Sequence, residues 1–357
     1  MGVVITDISA LEAYRHDSGF SVALPSRHSF GKRASLALMR PRAVEFAELS
    51  SRGFGFLSAP VHVMVPRKEM RFQTDGVVWH VCSSELPQRA VREVAHDIFL
   101  VSPEIALLHC SLRKDVRELI LLGFELCGAY RLGEGDSFRK ADRLTSPSAL
   151  ARFAQVHSKA RGSALLSRAA KYVVAGSASP MESALAMLLS APCALGGYGL
   201  PAPRMNERID MPSKSGLSQS KRYYVADLYW PRARFAIEYD SDCWHTGSDR
   251  IAADAVRRNA LLHMGVRVLT VGRQQIASVS KMDDIAKIVA RALGHPLRIR
   301  VKGWGERNRE LREIVFPWGK DADRSCFWCG LCASRYANRR GFRLAWFSSC
   351  ASKIASV

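Results

Sequence analysis

The chain of 357 residues is long enough for two domains of ~100–200 residues each. Its 48% hydrophobic and 24% charged residues exclude wholesale disorder and collagen-like or low-complexity chains. Fifty-two Lys and Arg against 33 Asp and Glu give a formal net charge of +19, which favours polyanions as partners, nucleic acid first. The alternative reading of that charge is a basic protein kept soluble by it.

No apolar run of ~18 residues suggests a membrane span. Met1 to Asp7 lacks a cationic region followed by an apolar one, so no signal peptide is expected. The nine cysteines are scattered, which points to reduced thiols in a cytoplasmic protein.

In chain order, a helix is expected over Ile8 to Tyr14, followed by a basic stretch and helical spacing around Leu36 to Leu49. Val61 to Val65 reads as a strand stopped by Pro66. Val77 to Val81 is another, after an Asp75-Gly76 turn, and Ile98 to Val101 a third. Ser102-Pro103-Glu104 has the form of a helix start, and two helices follow between Pro147 and Val174. Gly176 to Pro180 reads as a linker ending in a helix cap, so the expected boundary separates residues 1–175 from 176–300. Beyond it come a helix over Met181 to Ser190 and a strand over Met205 to Met211. A polar loop spans Pro212 to Ser220, and two strands follow, Tyr223 to Trp230 and Phe235 to Asp240. Then come a helix over Asp249 to Met264, a strand over Val266 to Val271 and a helix over Met282 to Leu293. That order, αβββαβα, predicts a mixed sheet with helices on both faces.

Within this second half, three acids fall on neighbouring strands. If the hairpin turns on Arg232-Ala233, Asp227 lies directly opposite Glu238, with Cβ atoms about 4.5–5.5 Å apart. Asp240, two residues on, shares the face of Glu238. Like charges so close raise one another's pKa unless a cation neutralises them, and a hard divalent ion suits all-oxygen ligands. Such an ion can activate water and stabilise charge on a phosphodiester, so spacing and charge suggest a metal-dependent phosphodiesterase. The alternative is that the acids pair with Arg232, Arg234 or Arg257 on a solvated sheet edge.

Tyr223-Tyr224-Val225-Ala226-Asp227-Leu228-Tyr229-Trp230 and Ala236-Ile237-Glu238-Tyr239-Asp240-Ser241-Asp242-Cys243-Trp244-His245 resemble the core of the PD-(D/E)XK nuclease superfamily. They are most similar to its very-short-patch-repair-like branch. Asp254, Arg257 and Arg258 match that branch's helix, and Val266 to Thr270 with Gln274-Gln275 match its last core elements. The resemblance covers about residues 179–293. It implies a three-layer αβα restriction-endonuclease-like domain cutting DNA, in phage defence or DNA repair. Asp227 and Glu238 would hold Mg²⁺ or Mn²⁺, with Glu182, Asp240, His245 and Gln274 as further site residues. Two departures stand out: Asp240 occupies the place where many members carry lysine, and Ser241 replaces the branch's glycine.

Residues 1–175 are expected to form a smaller α+β domain. Val61 to Arg67, the strand through His80, and Ser102-Pro103-Glu104 resemble abortive-infection antitoxins of type IV toxin–antitoxin systems. That implies a role in phage defence or DNA binding; DNA is favoured over RNA as nucleic-acid partner, although the sequence does not separate the two, and a homodimer or a toxin is the expected protein partner. The absence of the motif lysine at Asp240 leaves open a second function, a non-catalytic DNA-binding or antitoxin-like regulator with a degenerate nuclease core. Residues 301–357 read as a basic, poorly ordered tail. From Gly294 onward, thirteen Lys or Arg stand against five Asp or Glu. Cys326, Cys329, Cys332 and Cys350 could in principle take Zn²⁺, although the Ser- and Arg-rich flanks and the lack of a second paired unit argue against it.

Overall fold

The computed structural model describes residues 2–16, 44–82, 86, 90–133, 137–210, 223–240, 259 and 261–316. All of them belong to one compact unit, Met1–Gly319. The protein is mixed α/β, with three sheets among the described residues.

The first sheet is built from β1 (Val3–Ile5), β2 (Val61–Val65), β3 (Val77–Val81), β4 (Val91–Ala95) and β5 (Ile98–Val101), in the order β3-β2-β1-β5-β4. β1 runs parallel to β5 and antiparallel to β2, β2 runs parallel to β3, and β4 is antiparallel to β5. The three central strands are buried along their whole length, which is why, His62 apart, their sequences are continuous apolar runs rather than alternating. Helix α1 (Asp7–Arg15) leaves β1 directly, and Asp7 is held at φ +57. That left-handed conformation costs about 1–2 kcal/mol for a residue with a Cβ.

α2 (Phe46–Leu49) precedes β2, and α3 (Pro103–Cys110) follows β5. Ser102 occupies the N-cap place of α3, as the sequence predicts, but makes no side-chain cap bond there. α4 (Val116–Leu126) begins with a full capping box in which Asp115 accepts from the N–H groups of Arg117 and Glu118, and Glu118 answers to the N–H of Asp115. A two-stranded sheet of β6 (Tyr130–Leu132) and β7 (Phe138–Lys140) and the helices α5 (Pro147–Val156) and α6 (Ser163–Ala170) complete this half.

The segment that reads as a linker is packed. Gly176 N–H donates to Cys127 O, Ala129 N–H donates to Ser177 O, and Ser177 is buried. Its Ser179 does cap a helix: Ser179 Oγ accepts from Glu182 N–H at the start of α7 (Pro180–Ser190). The third sheet then follows as β8 (Arg204–Asp210), β9 (Tyr223–Trp230), β10 (Phe235–Asp240) and β11 (Arg267–Gly272), in the order β11-β10-β9-β8. The first three form an antiparallel meander and β11 runs parallel to β10.

α8 (Arg273–Ala277) and α9 (Val279–Ala292) follow. Inside the segment that reads as a basic tail, α10 (Trp304–Val315) is a helix with Leu311 and Val315 buried. The loop at Pro212 to Ser220, residues 249–258 and 260 of the helix expected over Asp249 to Met264, and the cysteines from Cys326 onward lie outside the described residues. No described helix is long and apolar enough to cross a membrane. Cys82, Cys110, Cys127 and Cys193 are not disulfide-bonded.

Candidate functional site

The hairpin register places the acids. β9 and β10 pair Trp230 with Phe235, Tyr229 with Ala236 and Leu228 with Ile237. The connection Pro231 to Arg234 is one turn of 3₁₀ helix closed by Arg234 in the left-handed region. This four-residue loop preserves the alignment expected from a turn centred on Arg232-Ala233. Asp227 and Glu238 are thus the next facing pair, just past the last paired residues. There the ladder gives way to a side-chain bond: the Tyr239 N–H donates to Asp227 Oδ2 at 2.7 Å.

On the other side of β9, Met205 pairs with Leu228 and Glu207 with Ala226, so Asn206 faces Asp227. β10 pairs Glu238 with Thr270 and Asp240 with Gly272 of β11. Asn206, Asp227, Glu238 and Thr270 therefore form one row across the sheet. Glu238 and Asp240 are half-buried, on the strand end where β10 emerges from its buried stretch Phe235 to Ile237. Among the described residues, no ion pair joins these acids to Arg232 or Arg234; Arg234 instead donates to Met264 O. Arg257 lies outside the described residues.

Glu182 reaches the same row through Asn206. Its Oε2 accepts from Asn206 Nδ2 at 2.6 Å and from Ala178 N–H at 2.8 Å, and its Oε1 accepts from Ser179 Oγ at 2.9 Å. Burial pushes its pKa up, and these three donors only partly offset that. Glu182 is a buried acid that ties the helix start to β8.

Gln274 is exposed in the first turn of α8, just past the end of β11 where Gly272 pairs with Asp240. Its neighbour Gln275 caps that helix, Oε1 accepting from Gly272 N–H at 2.9 Å. His245 lies outside the described residues. The structure thus aligns Asp227 with Glu238, connects Glu182 to their row and sets Asp240 and Gln274 at the same strand ends.

A second constellation escapes the sequence reading. Asp7, His62 and His80 are buried together and could hold a metal ion, all three ligand atoms lying within 4.8 Å of one another. β2 and β3 run parallel with His62 beside Val78 and Met64 beside His80, so both imidazoles project from one face of the sheet. His62 Nδ1 lies 2.8 Å from His80 Nε2, and His80 Nε2 lies 3.5 Å from Asp7 Oδ2.

Around them, the His109 ring stacks on His80 and its Nδ1 bonds Thr6 Oγ1 at 2.7 Å. Burial, reinforced by neighbouring cationic groups, lowers the pKa of His62 to about 3, of His80 to about 2 and of His109 to about 4, so the rings are neutral at pH 7. Burial raises the pKa of Asp7, against the pull of Arg113 and its hydrogen bonds. The sequence carried one signal of this group: each of two otherwise apolar strands, Val61 to Val65 and Val77 to Val81, contains a single histidine.

No family model, curated protein or solved structure matches the chain.

Proposed function

We propose that residues 176–300 form a PD-(D/E)XK-type, divalent-metal-dependent nuclease domain, with DNA as substrate and Asp227 and Glu238 as the ion's protein ligands. The observation that carries this reading is the register: an antiparallel hairpin aligns two carboxylates in a mixed four-stranded sheet, next to a helix whose buried Glu182 bonds the same row. The donor set fits Mg²⁺ or Mn²⁺, because every side chain offered there is an oxygen ligand. When bound, such an ion lowers the pKa of water and offsets charge on a phosphodiester.

The chain's own residues supply the rest. Asp227 is oriented by the Tyr239 N–H, Glu182 fixes Asn206 beside it, and Asp240 offers a further acceptor at the strand end. The positive charge of the chain would hold phosphates without reading sequence.

Incubating the full chain with supercoiled plasmid and Mg²⁺ or Mn²⁺, beside Glu238→Gln, tests the proposal. Nicking by the wild type that the variant loses supports it, and equal nicking by both overturns it. A second reading, a non-catalytic DNA-binding regulator, is favoured by the saturation of Glu182 with three structural donors. It predicts salt-sensitive DNA binding that is unchanged in Glu238→Gln.

A further inference from the structure

The carboxylate of Asp7 is used asymmetrically. Its Oδ1 accepts from Ile8 N–H at 2.6 Å, from the Cys110 thiol at 3.3 Å and from Arg113 Nη2 at 2.5 Å. Its Oδ2 is buried, has no hydrogen-bond partner and faces the imidazole of His80. Asp7 itself is only 1% exposed. Leaving a buried carboxylate oxygen bare costs about 1–3 kcal/mol, so an orphan of this kind calls for a partner.

The imidazoles do not provide one. His80 Nε2 meets His62 Nδ1 at 2.8 Å, Arg113 Nη1 at 3.4 Å and Asp7 Oδ2 at 3.5 Å. A proton on Nε2 suits Asp7 but opposes Arg113, and a lone pair there suits Arg113 but opposes Asp7. No tautomer satisfies both neighbours. A cation among the three atoms takes the Nε2 lone pair and gives Asp7 Oδ2 a partner, while Arg113 keeps its bond to Asp7 Oδ1.

We propose that Asp7 Oδ2, His62 Nδ1 and His80 Nε2 bind one zinc-class divalent ion that joins the β1–α1 junction to β2 and β3. Two imidazole nitrogens and one carboxylate oxygen suit zinc or another late first-row metal, and exclude Mg²⁺ and Ca²⁺, which take oxygen. Bonds of about 2.0–2.1 Å in tetrahedral geometry separate neighbouring ligand atoms by about 3.4 Å. The 3.5 Å between His80 Nε2 and Asp7 Oδ2 already has that spacing. The 2.8 Å between the imidazole nitrogens opens by about 0.6 Å on binding.

The three donors on Oδ1 are the outer contacts that orient a metal-binding carboxylate. Three protein ligands leave one tetrahedral position for water or a small anion. This site is separate from the Asp227 row, and neither reading depends on the other.

The test uses the full chain, freed of metal, reloaded with Zn²⁺ or with Co²⁺ as a spectroscopic probe, and compared with His80→Gln and with Cys326→Ser/Cys329→Ser. Elemental analysis should find one zinc per chain, lost in His80→Gln and retained in the cysteine variant. The cobalt form should show strong visible bands of a tetrahedral nitrogen–oxygen site without the near-ultraviolet thiolate band of a cysteine site. No retained zinc, undiminished zinc in His80→Gln, or a thiolate band abolished by the cysteine substitutions overturns the proposal. If His80→Gln does not fold, zinc titrated into the metal-free cysteine variant decides instead. Its melting temperature should rise with zinc and not with magnesium, and an unmoved temperature overturns the proposal.

Discussion

Replacing Asp227 by asparagine and, separately, by alanine divides what its carboxylate does for the fold from what its charge does for an ion. One fold contribution is the 2.7 Å bond from the Tyr239 N–H, made where the β9–β10 ladder ends. A hydrogen bond to a charged acceptor contributes about 1.5–3 kcal/mol, and a neutral one about 0.5–1.5 kcal/mol. Asp227→Ala removes the acceptor, but Tyr239 is half-buried and water can reach part of the strand end. A loss near the lower limit, about 1.5–2 kcal/mol, is therefore expected. Asp227→Asn keeps an amide oxygen for the same N–H and should lose about 1 kcal/mol or less.

Activity should rank the two variants differently. Both lack the charge that would hold a divalent ion, and even an outer-shell partner of a bound metal typically accounts for ~10–100-fold in affinity or activity. Plasmid nicking should therefore fall by at least about 100-fold in both. Urea unfolding and nicking rates, measured on the same preparations, check the two parts. An asparagine variant that cuts like the wild type refutes the shared-ion reading. One as unstable as the alanine variant refutes the hydrogen-bond reasoning.

Acid stability should depend on Asp115. Burial alone would raise its pKa, but bonds from Arg117 and the backbone N–H groups of α4 outweigh burial and hold it below the ordinary value. Its contribution is then present above the unfolded value near ~4 and lost as pH falls through the lower folded value. Asp115→Asn, which keeps a capping oxygen, should flatten that part of a stability–pH curve. Unchanged steepness in denaturation midpoints below about pH 4 would contradict it.

Gly197→Ala should destabilise by about 1–3 kcal/mol or more, because its Cβ would fall 2.1 Å from Ala191 O, a backbone atom that cannot swing aside. Gly305→Ala, whose Cβ meets nothing within 4 Å, should be neutral or gain up to about 1 kcal/mol, and thermal unfolding of the pair compares them directly.

Local patterning carried much of the architecture. Val-rich runs stopped by Pro66 and opened by Asp75-Gly76 appear as β2 and β3, and the Pro103, Pro147 and Pro180 helix starts all stand at first helical positions. The alignment of Asp227 with Glu238 followed from one assumption about a turn, which an even-length loop satisfies.

What stayed hidden was non-local. The Asp7, His62 and His80 group depends on β1 lying beside β2 in a sheet whose strand order does not follow the chain. α10 was obscured because its inward stripe, Trp304, Asn308, Leu311 and Val315, has helical spacing but includes a polar residue and lies among charges. Gly176 to Ser179 had the composition of an exposed connector, yet its backbone groups find partners in the first half of the chain.

The position of α10 bears on how the protein can be cut into pieces. Trp304 Nε1 donates to Gly197 O, Asn308 Nδ2 to Gly196 O and Arg312 Nη2 to Ile276 O, while Glu310 pairs with Arg117 of α4 at 2.7 Å. A fragment ending at residue 300 would strip those carbonyl groups of their donors and bare the surface beneath Leu311 and Val315. Recombinant work on residues 176–300 is therefore better served by end points after residue 316, and by keeping the first half attached.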